Sequence, residues 1–340
     1  RWAVPAYFSS LVTLALIVFM ATTFSTGVSK VPIRQEAPLP TRGRRIPEHY
    51  WGYLLLAPAV AMVLALILYP VIYSGWLSFH FKHAYLPMQT FVGWDNYRDL
   101  WSDTAWPFSA ADGFWRSVYL GAIYGFGSTI LQIILGLSAA LMLNESFFGK
   151  AFMRGVALFP YMVPTVVVAI LMKWILNDAY GILPYLMDSS GIGRVLWFGR
   201  DWVMVTVILI STWTFFPFVV IGTLARLQTI DPELYSAAKV DGAGALRRFW
   251  HITLPQLANV LFVVVLLRTM FMFTKFDVIW LVTGSGGIGF YTKTLPIHTY
   301  MKTFGELQVG AGAALSMMMF LMLVVFASIY FKLYKRDEHI

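Results

Sequence analysis

The chain of 340 residues is 59% hydrophobic and only 12% charged, and its formal net charge is +8. Soluble domains carry roughly 25% charged residues, so this composition excludes an ordinary soluble protein and indicates one that lies mostly in lipid. Cysteine is absent, which excludes disulfides and thiolate metal sites. We interpret the positive charge as a determinant of membrane orientation, with no nucleic-acid partner.

Seven apolar stretches approach the roughly 20 residues that a helix needs to cross a bilayer. In chain order they are Tyr7–Phe24, Tyr50–Trp76, Ser117–Leu143, Gly155–Leu176, Trp202–Leu227, Leu257–Val282 and Val309–Leu333. The first is as short as a signal peptide, but a basic segment, Gly27–His49, follows it instead of a small-residue cleavage site. We therefore predict one retained span and a cytoplasmic linker in residues 1–49, and a membrane domain of six spans in residues 50–340.

Loop charges set the orientation, because Lys and Arg resist transfer to the outer side of the membrane. These residues are denser in the loops on the side of Gly27–His49 and the C-terminus, whereas Asp is concentrated in the opposite loops. The C-terminus is therefore predicted to face the cytoplasm. Seven spans place residue 1 outside, unless residues before Arg1 add an eighth span, and the sequence leaves that choice open.

Several short motifs do not carry chemistry. "GSGGIG" at Gly284–Gly289 fits the dinucleotide fingerprint, but that fingerprint needs a preceding strand and a following helix, and here a membrane span precedes it. "YTKT" around Lys293 lacks the glycine of a phosphate-binding loop, so we expect no ATP site. "GAIYG" at Gly121–Gly125 favours close helix packing. The six His residues have no metal-ligand spacing, and no clustered acid/base pair supports a membrane enzyme.

The most strongly patterned polar segment is "TIDPELYSAAKVDGAGALRRFWHITLP", Thr229–Pro255. It predicts a helix that Asp231 caps, a turn that Gly242 permits, and a second helix that Pro255 ends where the next span begins. From these residues alone two roles stay equally open. The segment could lie on the cytoplasmic leaflet, held by its arginines, or it could dock to a cytosolic partner.

The segment resembles the EAA loop of binding-protein-dependent ABC transporter permeases, whose pattern is E-A-A, three residues, G, and then I-x-L-P. Four further stretches are similar to the carbohydrate-uptake, maltose permease-like branch: "FVGWDNYRDLW", "LFPYMVPTVVVA", "WTFFPF" and "FDVIWLVTG". Two details differ from the family pattern. The triplet is stretched to "ELYSAA", with Ser236 where a second glutamate is frequent, and "GSGGIG" stands where the family usually has Gly-Gly-Pro. The residues that the resemblance assigns to ATPase coupling are Glu233, Ala237, Ala238, Asp241, Gly242, Ala243, Leu254 and Pro255.

The resemblance implies an all-α integral membrane protein with the type I ABC importer permease fold, a six-helix core and at least one extra N-terminal transmembrane helix. It implies a multi-pass subunit of the bacterial inner membrane that imports a sugar or sugar-like solute, anionic and glycerol-linked solutes included. The implied partners are a second, homologous permease subunit, two copies of a cytosolic ABC ATPase and a periplasmic or extracellular solute-binding protein. ATP and Mg²⁺ would bind the ATPase, so this chain is expected to be no enzyme and to hold no cofactor.

A secondary transporter or channel for small polar solutes is the alternative. Inverted repeats with broken helices would favour that class, and neither is evident in the sequence. A carrier of that kind would also transport alone, whereas an ABC permease needs its companion subunits.

The resemblance also points to a substrate path lined by Tyr161, Thr165, Ser211, Thr214, Phe215, Phe218, Phe271, Met272 and Lys275. The aromatic residues and Met272 are explained equally well by helix packing, and the hydroxyls by a bond to a carbonyl one turn back. Lys275 differs, because an ionisable residue within the membrane is costly and normally faces a cavity or a partner. Arg268 and Lys173 compete with it for Asp277, the only obvious intramembrane carboxylate. We therefore predict that Lys275 contacts the substrate and favours an anionic or highly hydroxylated solute.

Overall fold

The structure is a computed structural model that describes residues 48–102, 113–191, 193–284 and 291–334. The chain divides into two units between Val60 and Ala61, and only residues 48–60 of the first unit are described. The predicted span Tyr7–Phe24 lies outside the described residues, as does the predicted linker up to residue 47. All packing described below lies within the second unit.

The described residues are mostly helical, with one short strand pair. The elements are α1 (Glu48–Val63), α2 (Tyr69–Leu77), β1 (His80–Lys82), β2 (Gln89–Phe91), α3 (Asp95–Ser102), α4 (Phe114–Asn144), α5 (Lys150–Met162), α6 (Thr165–Ile175), α7 (Ile182–Ser189), α8 (Val203–Leu227), α9 (Pro232–Val240), α10 (Ala245–Arg248), α11 (Leu254–Phe273), α12 (Asp277–Thr283), α13 (Leu295–Tyr300) and α14 (Val309–Tyr334). In the described ranges, three π-helical turns interrupt the helices, at Leu64–Leu68, Phe249–Thr253 and Met301–Gly305.

Within the described residues, five helical segments are long and apolar enough to cross a membrane. They are Gly52–Leu77, Phe114–Asn144, Val203–Leu227, Ala245–Phe273 and Val309–Leu333. A sixth candidate is the pair α5 and α6, bent by 96° against each other, a geometry that a broken span and a re-entrant loop share. Each of the six stretches predicted after residue 50 overlaps one of these candidates, but two of them differ in shape from the prediction.

The stretch Gly155–Leu176, predicted as one continuous span, is broken between α5 and α6. Val163 is extended (φ −79°, ψ 130°) and Pro164 follows it before α6 begins. Proline has no N–H to continue a helix, and it disfavours the helical conformation of the residue before it. Residues on both sides of the break are apolar, so a hydropathy average over this stretch does not detect it.

The stretch Leu257–Val282 is also broken. α11 ends at Phe273, residues 274–276 are not helical, and α12 begins at Asp277. The prediction of one continuous span here is therefore wrong, and broken helices, which are not evident in the sequence, are present. Irregular backbone at membrane depth is tolerated where it lines a cavity or is buried in protein. The two breaks therefore predict a cavity beside them.

A short hairpin departs from the all-α prediction. β1 and β2 pair antiparallel, with His80 opposite Phe91 and Lys82 opposite Gln89. The Asn96 side chain supports the hairpin by donating to the carbonyl oxygens of Ser78 and His80, at 2.8 and 3.1 Å. Strands of three residues are too short to show the alternation by which a strand is recognised in sequence.

The core is organised around α4 and α8, which share the most extensive helix–helix interface in the described part. Gly136 permits their close approach, because a β-carbon there would lie 2.5 Å from Cβ of Val219 and 3.0 Å from the Phe216 carbonyl oxygen. Gly125 similarly lies against the Phe273 ring of α11, where a β-carbon would come within 2.5 Å. The small residues of "GAIYG" therefore serve packing within this chain, as predicted.

Candidate functional site: substrate cavity and coupling loop

A cavity of about 420 Å³ lies beside both helix breaks. Its wall is formed by one residue of α5, one of α8, and the end of α11 with the irregular segment that follows. The lining residues are Tyr161, Phe215, Arg268, Phe271, Met272, Thr274, Lys275, Phe276 and Asp277. Five of the nine residues predicted for the substrate path are thus brought together: Tyr161, Phe215, Phe271, Met272 and Lys275.

The other four predicted path residues do not line this cavity. The Thr214 hydroxyl donates to the carbonyl oxygen of Ile210 one turn back, at 2.8 Å, and is buried. Thr165 is half-buried at the start of α6. Phe218 stands behind the wall, with its ring centroid 6.4 Å from that of Tyr161. The fourth, Ser211, is buried and belongs to a hydrogen-bond network behind the wall.

That network connects three helices and ends at the cavity. The hydroxyls of Tyr124 and Ser211 are 2.7 Å apart. Gln132 donates to the carbonyl oxygen of Ser211 at 3.3 Å, and its own Oε1 accepts from Nε of Arg268 at 2.8 Å. Gln132 and Ser211 have no exposed surface, and Arg268 is 3% exposed. The network therefore fixes the direction of the Arg268 guanidinium relative to α4 and α8.

Two cations flank one aromatic ring of the wall. The Arg268 guanidinium carbon lies 5.1 Å from the Phe215 ring centroid and 5.4 Å from that of Phe218, and Nζ of Lys275 lies 4.3 Å from the Phe215 centroid. Nζ of Lys275 also pairs with Oδ1 of Asp277 at 3.1 Å. The wall thus holds two cations and one carboxylate. Sequence reasoning noticed Arg268 as an intramembrane cation but did not assign it to the path.

The predicted coupling loop has the expected local structure. The Asp231 side chain accepts from the backbone N–H of Glu233 at 2.9 Å and so caps α9. Gly242 has φ +76°, a left-handed conformation that favours glycine, and a β-carbon there would meet nothing within 4 Å. The predicted cap and turn are confirmed.

One detail of the loop differs from the prediction. Pro255 does not end the second helix, because α10 continues through the π-helical turn into α11, and helical residues run from Ala245 to Phe273. Leu254 and Pro255 therefore lie inside a continuous helix, where the proline leaves one carbonyl oxygen without its helical N–H donor. A wide π-helical turn directly before the proline relieves the crowding that it would cause in the preceding turn.

Two polar contacts lie at the base of the predicted coupling loop, one between the helices that flank it and one within it. Arg226, at the end of α8, donates from Nε to the carbonyl oxygen of Gln256 at 3.0 Å and from Nη2 to its Oε1 at 2.9 Å. The hydroxyls of Tyr235 in α9 and Thr253 lie 3.0 Å apart. Sequence reasoning missed these residues, and the only available signal was a basic residue in the last turn of an apolar helix.

The outer surface of the loop is open. No residue of α9 is buried. Glu233, Ala237, Asp241 and Gly242 are exposed, while Ala238 and Ala243 are half-buried. Large apolar side chains are exposed as well, Val240 by 89% and Leu246 by 73%. Exposed apolar side chains grouped on a polar segment are typical of a surface that another protein or a membrane covers.

Comparisons with known proteins agree with one another. Residues 132–336 match the family model described as binding-protein-dependent transport system inner membrane component. The trehalose/maltose transport system permease protein of Thermococcus litoralis is 34% identical over 84% of this chain and 95% of its own length. The sulfoquinovosyl glycerol transport system permease protein of Agrobacterium fabrum is 30% identical over 89% of this chain and 96% of its own.

Among solved structures, a bacterial ABC transporter that imports the acidic polysaccharide alginate contains a chain with the same fold. The TM-score is 0.69 at 18% identity, and the match covers 86% of this chain and 97% of that one. The fold is therefore that of an ABC importer permease, in agreement with the prediction. Given the family match over more than half of its length and its relatives at 30% identity or above, the chain belongs to the binding-protein-dependent transport system inner membrane components, a family of multi-pass membrane permease subunits.

Proposed function

We propose that this chain is the transmembrane subunit of an ATP-driven importer of a sugar or sugar-like solute, and that residues 229–255 couple it to a cytosolic ABC ATPase. Two relatives of at least 30% identity are named for sugar solutes, trehalose or maltose and sulfoquinovosyl glycerol. The observation that carries the proposal is the continuous helix Ala245–Phe273, which begins at the coupling turn and ends in the cavity wall.

The coupling loop is suited to transmit a movement. No residue of α9 is fully buried, so a partner can contact this helix, and Glu233 in its first turn can pair with a basic residue of that partner. The Arg226–Gln256 contact joins α8 to α11, and the Tyr235–Thr253 contact joins α9 to the turn that leads into α11. Closure of the ATPase on ATP would therefore tilt these helices together and change which side of the membrane the cavity faces.

The cavity suits a hydroxylated ring. Tyr161, Phe215, Phe271 and Phe276 present aromatic surface on which the C–H face of a sugar can stack, and the polar groups of the wall can bond its hydroxyls. In this proposal Thr165, Ser211, Thr214 and Phe218 do not contact the solute directly. Ser211 instead supports the wall from behind through Gln132.

The proposal implies companions. We expect a second permease subunit that completes the path, two ABC ATPase copies that bind ATP and Mg²⁺ on the cytoplasmic side, and a solute-binding protein outside. The C-terminus and residues 229–255 then face the cytoplasm of the cell whose inner membrane holds the complex.

Reconstitution tests the proposal. The tagged chain is purified from its native membrane with its companions, and uptake of the solute of the co-purified binding protein is measured in liposomes, with ATP inside and then with ion gradients alone. We expect uptake that requires ATP, the ATPase and the binding protein. Uptake by this chain alone, driven by an ion gradient, would instead support a secondary transporter, the class for which helices broken at a midplane cavity are typical.

A further inference from the structure

Arg268 is a buried cation that no carboxylate of the described residues pairs with. A guanidinium has five N–H groups, and the described acceptors are Oε1 of Gln132 at 2.8 Å and Sδ of Met272 at 3.7 Å. The sulfur is a weak acceptor. Most of the hydrogen-bonding capacity of this side chain is therefore unused on the side where it lines the cavity.

The neighbouring ion pair does not neutralise Arg268. Asp277 lies 3.1 Å from Nζ of Lys275, in a pair whose side chains are 20% and 42% exposed. With Arg268 and Lys275 positive and Asp277 negative, the lining carries one positive charge in excess (two minus one). A charge removed from water is stable only when it is paired or well solvated by hydrogen bonds.

Cation–π contacts do not replace an anion. The rings of Phe215 and Phe218, 5.1 and 5.4 Å from the guanidinium carbon, stabilise the cation. The N–H groups point outward in the plane of the guanidinium, a geometry that matches the two oxygens of a carboxylate, phosphate or sulfonate. The rings supply no oxygen acceptor, so the N–H groups that Gln132 and Met272 do not use are available to a ligand.

We propose that the cavity binds an oxyanion at Arg268, and that the solute of this permease is a sugar that carries a carboxylate, phosphate or sulfonate group. This inference rests on the proposed function of the cavity as the substrate path. Arg268 holds the oxyanion, Gln132 orients Arg268, and the aromatic wall takes the sugar ring. A volume of about 420 Å³ is within the range of small-molecule sites, so one charged sugar unit fits.

A matched sugar pair tests the proposal. The complete complex, in phosphatidylcholine nanodiscs without its binding protein, is titrated with D-glucuronate and D-glucose, which differ by one carboxylate, and binding is followed by saturation-transfer NMR and calorimetry. We expect glucuronate to bind about tenfold tighter or more, the scale of one or two hydrogen bonds to a charged group. Arg268→Gln should reduce glucuronate affinity to that of glucose, and Arg268→Lys should retain part of the difference.

Two further variants test the proposal even if the Arg268→Gln protein does not fold. Asp277→Asn removes the one carboxylate of the wall, so the net charge of the lining rises by one, and the preference for glucuronate should increase several-fold. Arg98→Gln removes an exposed cation that does not line the cavity and should leave the preference unchanged. Repeating the titration with anionic phospholipid in the nanodisc distinguishes a soluble solute from a lipid headgroup. Competition by that lipid at Arg268 would overturn the proposal.

Phe271→Ala separates failure of this proposal from failure of the cavity as the path. Suppose that Phe271→Ala weakens the binding of both sugars, while Arg268→Gln and Asp277→Asn leave the ratio of the two affinities unchanged. The cavity is then the path, and the oxyanion site is wrong. If glucuronate shows no saturable binding, or if no cavity variant affects either sugar, the oxyanion site and the assignment of the path are both wrong.

Discussion

Arg226 holds Gln256 by two hydrogen bonds, one to its backbone oxygen and one to its side-chain oxygen, at 3.0 and 2.9 Å. The contact connects the last turn of α8 to the first turn of α11 on the two sides of the coupling loop. Because one acceptor is a backbone atom, the contact fixes the position of the helix itself as well as that of a side chain. The contact therefore joins the ends of the two helices between which α9 lies in the chain.

Replacing Arg226 should therefore uncouple the permease without preventing its assembly. Arg226→Met removes both bonds to Gln256 and a third to the Thr229 hydroxyl at 3.2 Å, each worth about 1.5–3 kcal/mol for a charged donor and less where solvent competes. We expect solute uptake per ATP hydrolysed to fall several-fold while the complex co-purifies normally. Lys150→Met is the matched control, because Lys150 also donates to a backbone oxygen, that of Asn144 at 3.0 Å, at a helix end outside the coupling loop. An unchanged coupling ratio in Arg226→Met would contradict the role of this contact.

Gly242 can be tested for two separate roles. Its φ of +76° disfavours any residue with a β-carbon, by roughly 1–2 kcal/mol for alanine, whereas asparagine tolerates this conformation better. If α9 lies close to an ATPase, the backbone at Gly242 has no room for a side chain, and both Gly242→Ala and Gly242→Asn should abolish stimulated ATP hydrolysis.

Gly149 provides the control for that experiment. It has φ +81° and equally open surroundings, but it precedes α5 outside the coupling loop. Gly149→Ala should keep normal stimulation, since it introduces the same backbone strain elsewhere. Normal stimulation in Gly242→Asn would show that this glycine serves only the turn, and that close approach of the ATPase is wrong.

Lys275→Ala should impair uptake at least tenfold, because it removes a cation that lines the cavity and lies 4.3 Å from the Phe215 centroid. Uptake into proteoliposomes and binding-protein-independent ATP hydrolysis are measured together, and only uptake should fall. Lys173→Ala serves as the control, because Lys173 lies in α6 and does not line the cavity. An equal loss of uptake in the two variants would contradict a specific role of Lys275.

Gly136→Ala should destabilise the helix core. Its β-carbon would lie 2.5 Å from Cβ of Val219, and overpacking of this kind costs roughly 1–3 kcal/mol. The unfolding temperature of the detergent-solubilised protein should fall by several degrees. Gly155→Ala, in α5 with nothing within 4 Å of the new carbon, should leave it unchanged or raise it slightly. Equal unfolding temperatures for the two variants would show that α4 and α8 separate easily.

Features determined by neighbours in the sequence could be predicted. The Asp231 cap and the Gly242 turn depend on residues two or three positions apart, and each span depends on one apolar stretch. The bend at Pro164 also had a local signal, the proline itself, but continuous apolar residues on both sides conceal it from hydropathy.

Features determined by residues far apart in the sequence could not be predicted. Arg268 meets Gln132 across 136 positions, and Arg226 meets Gln256 across 30. Each of these residues has an ordinary explanation by itself, as a costly intramembrane cation, a polar helix residue or a basic helix end. Only their packing shows that Arg268 belongs to the cavity wall and that Arg226 joins the end of α8 to the start of α11.

The helix that runs from Ala245 to Phe273 has 29 residues, and at 1.5 Å per residue it is about 43 Å long. A rotation of about 10° around the middle of such a rod displaces its two ends by about 4 Å each, in opposite directions. A push on the Ala245 end in one direction therefore carries Arg268 and Met272, near the other end, in the opposite direction. For a rod of this length, the space beside the helix widens at one end and narrows at the other in a single movement.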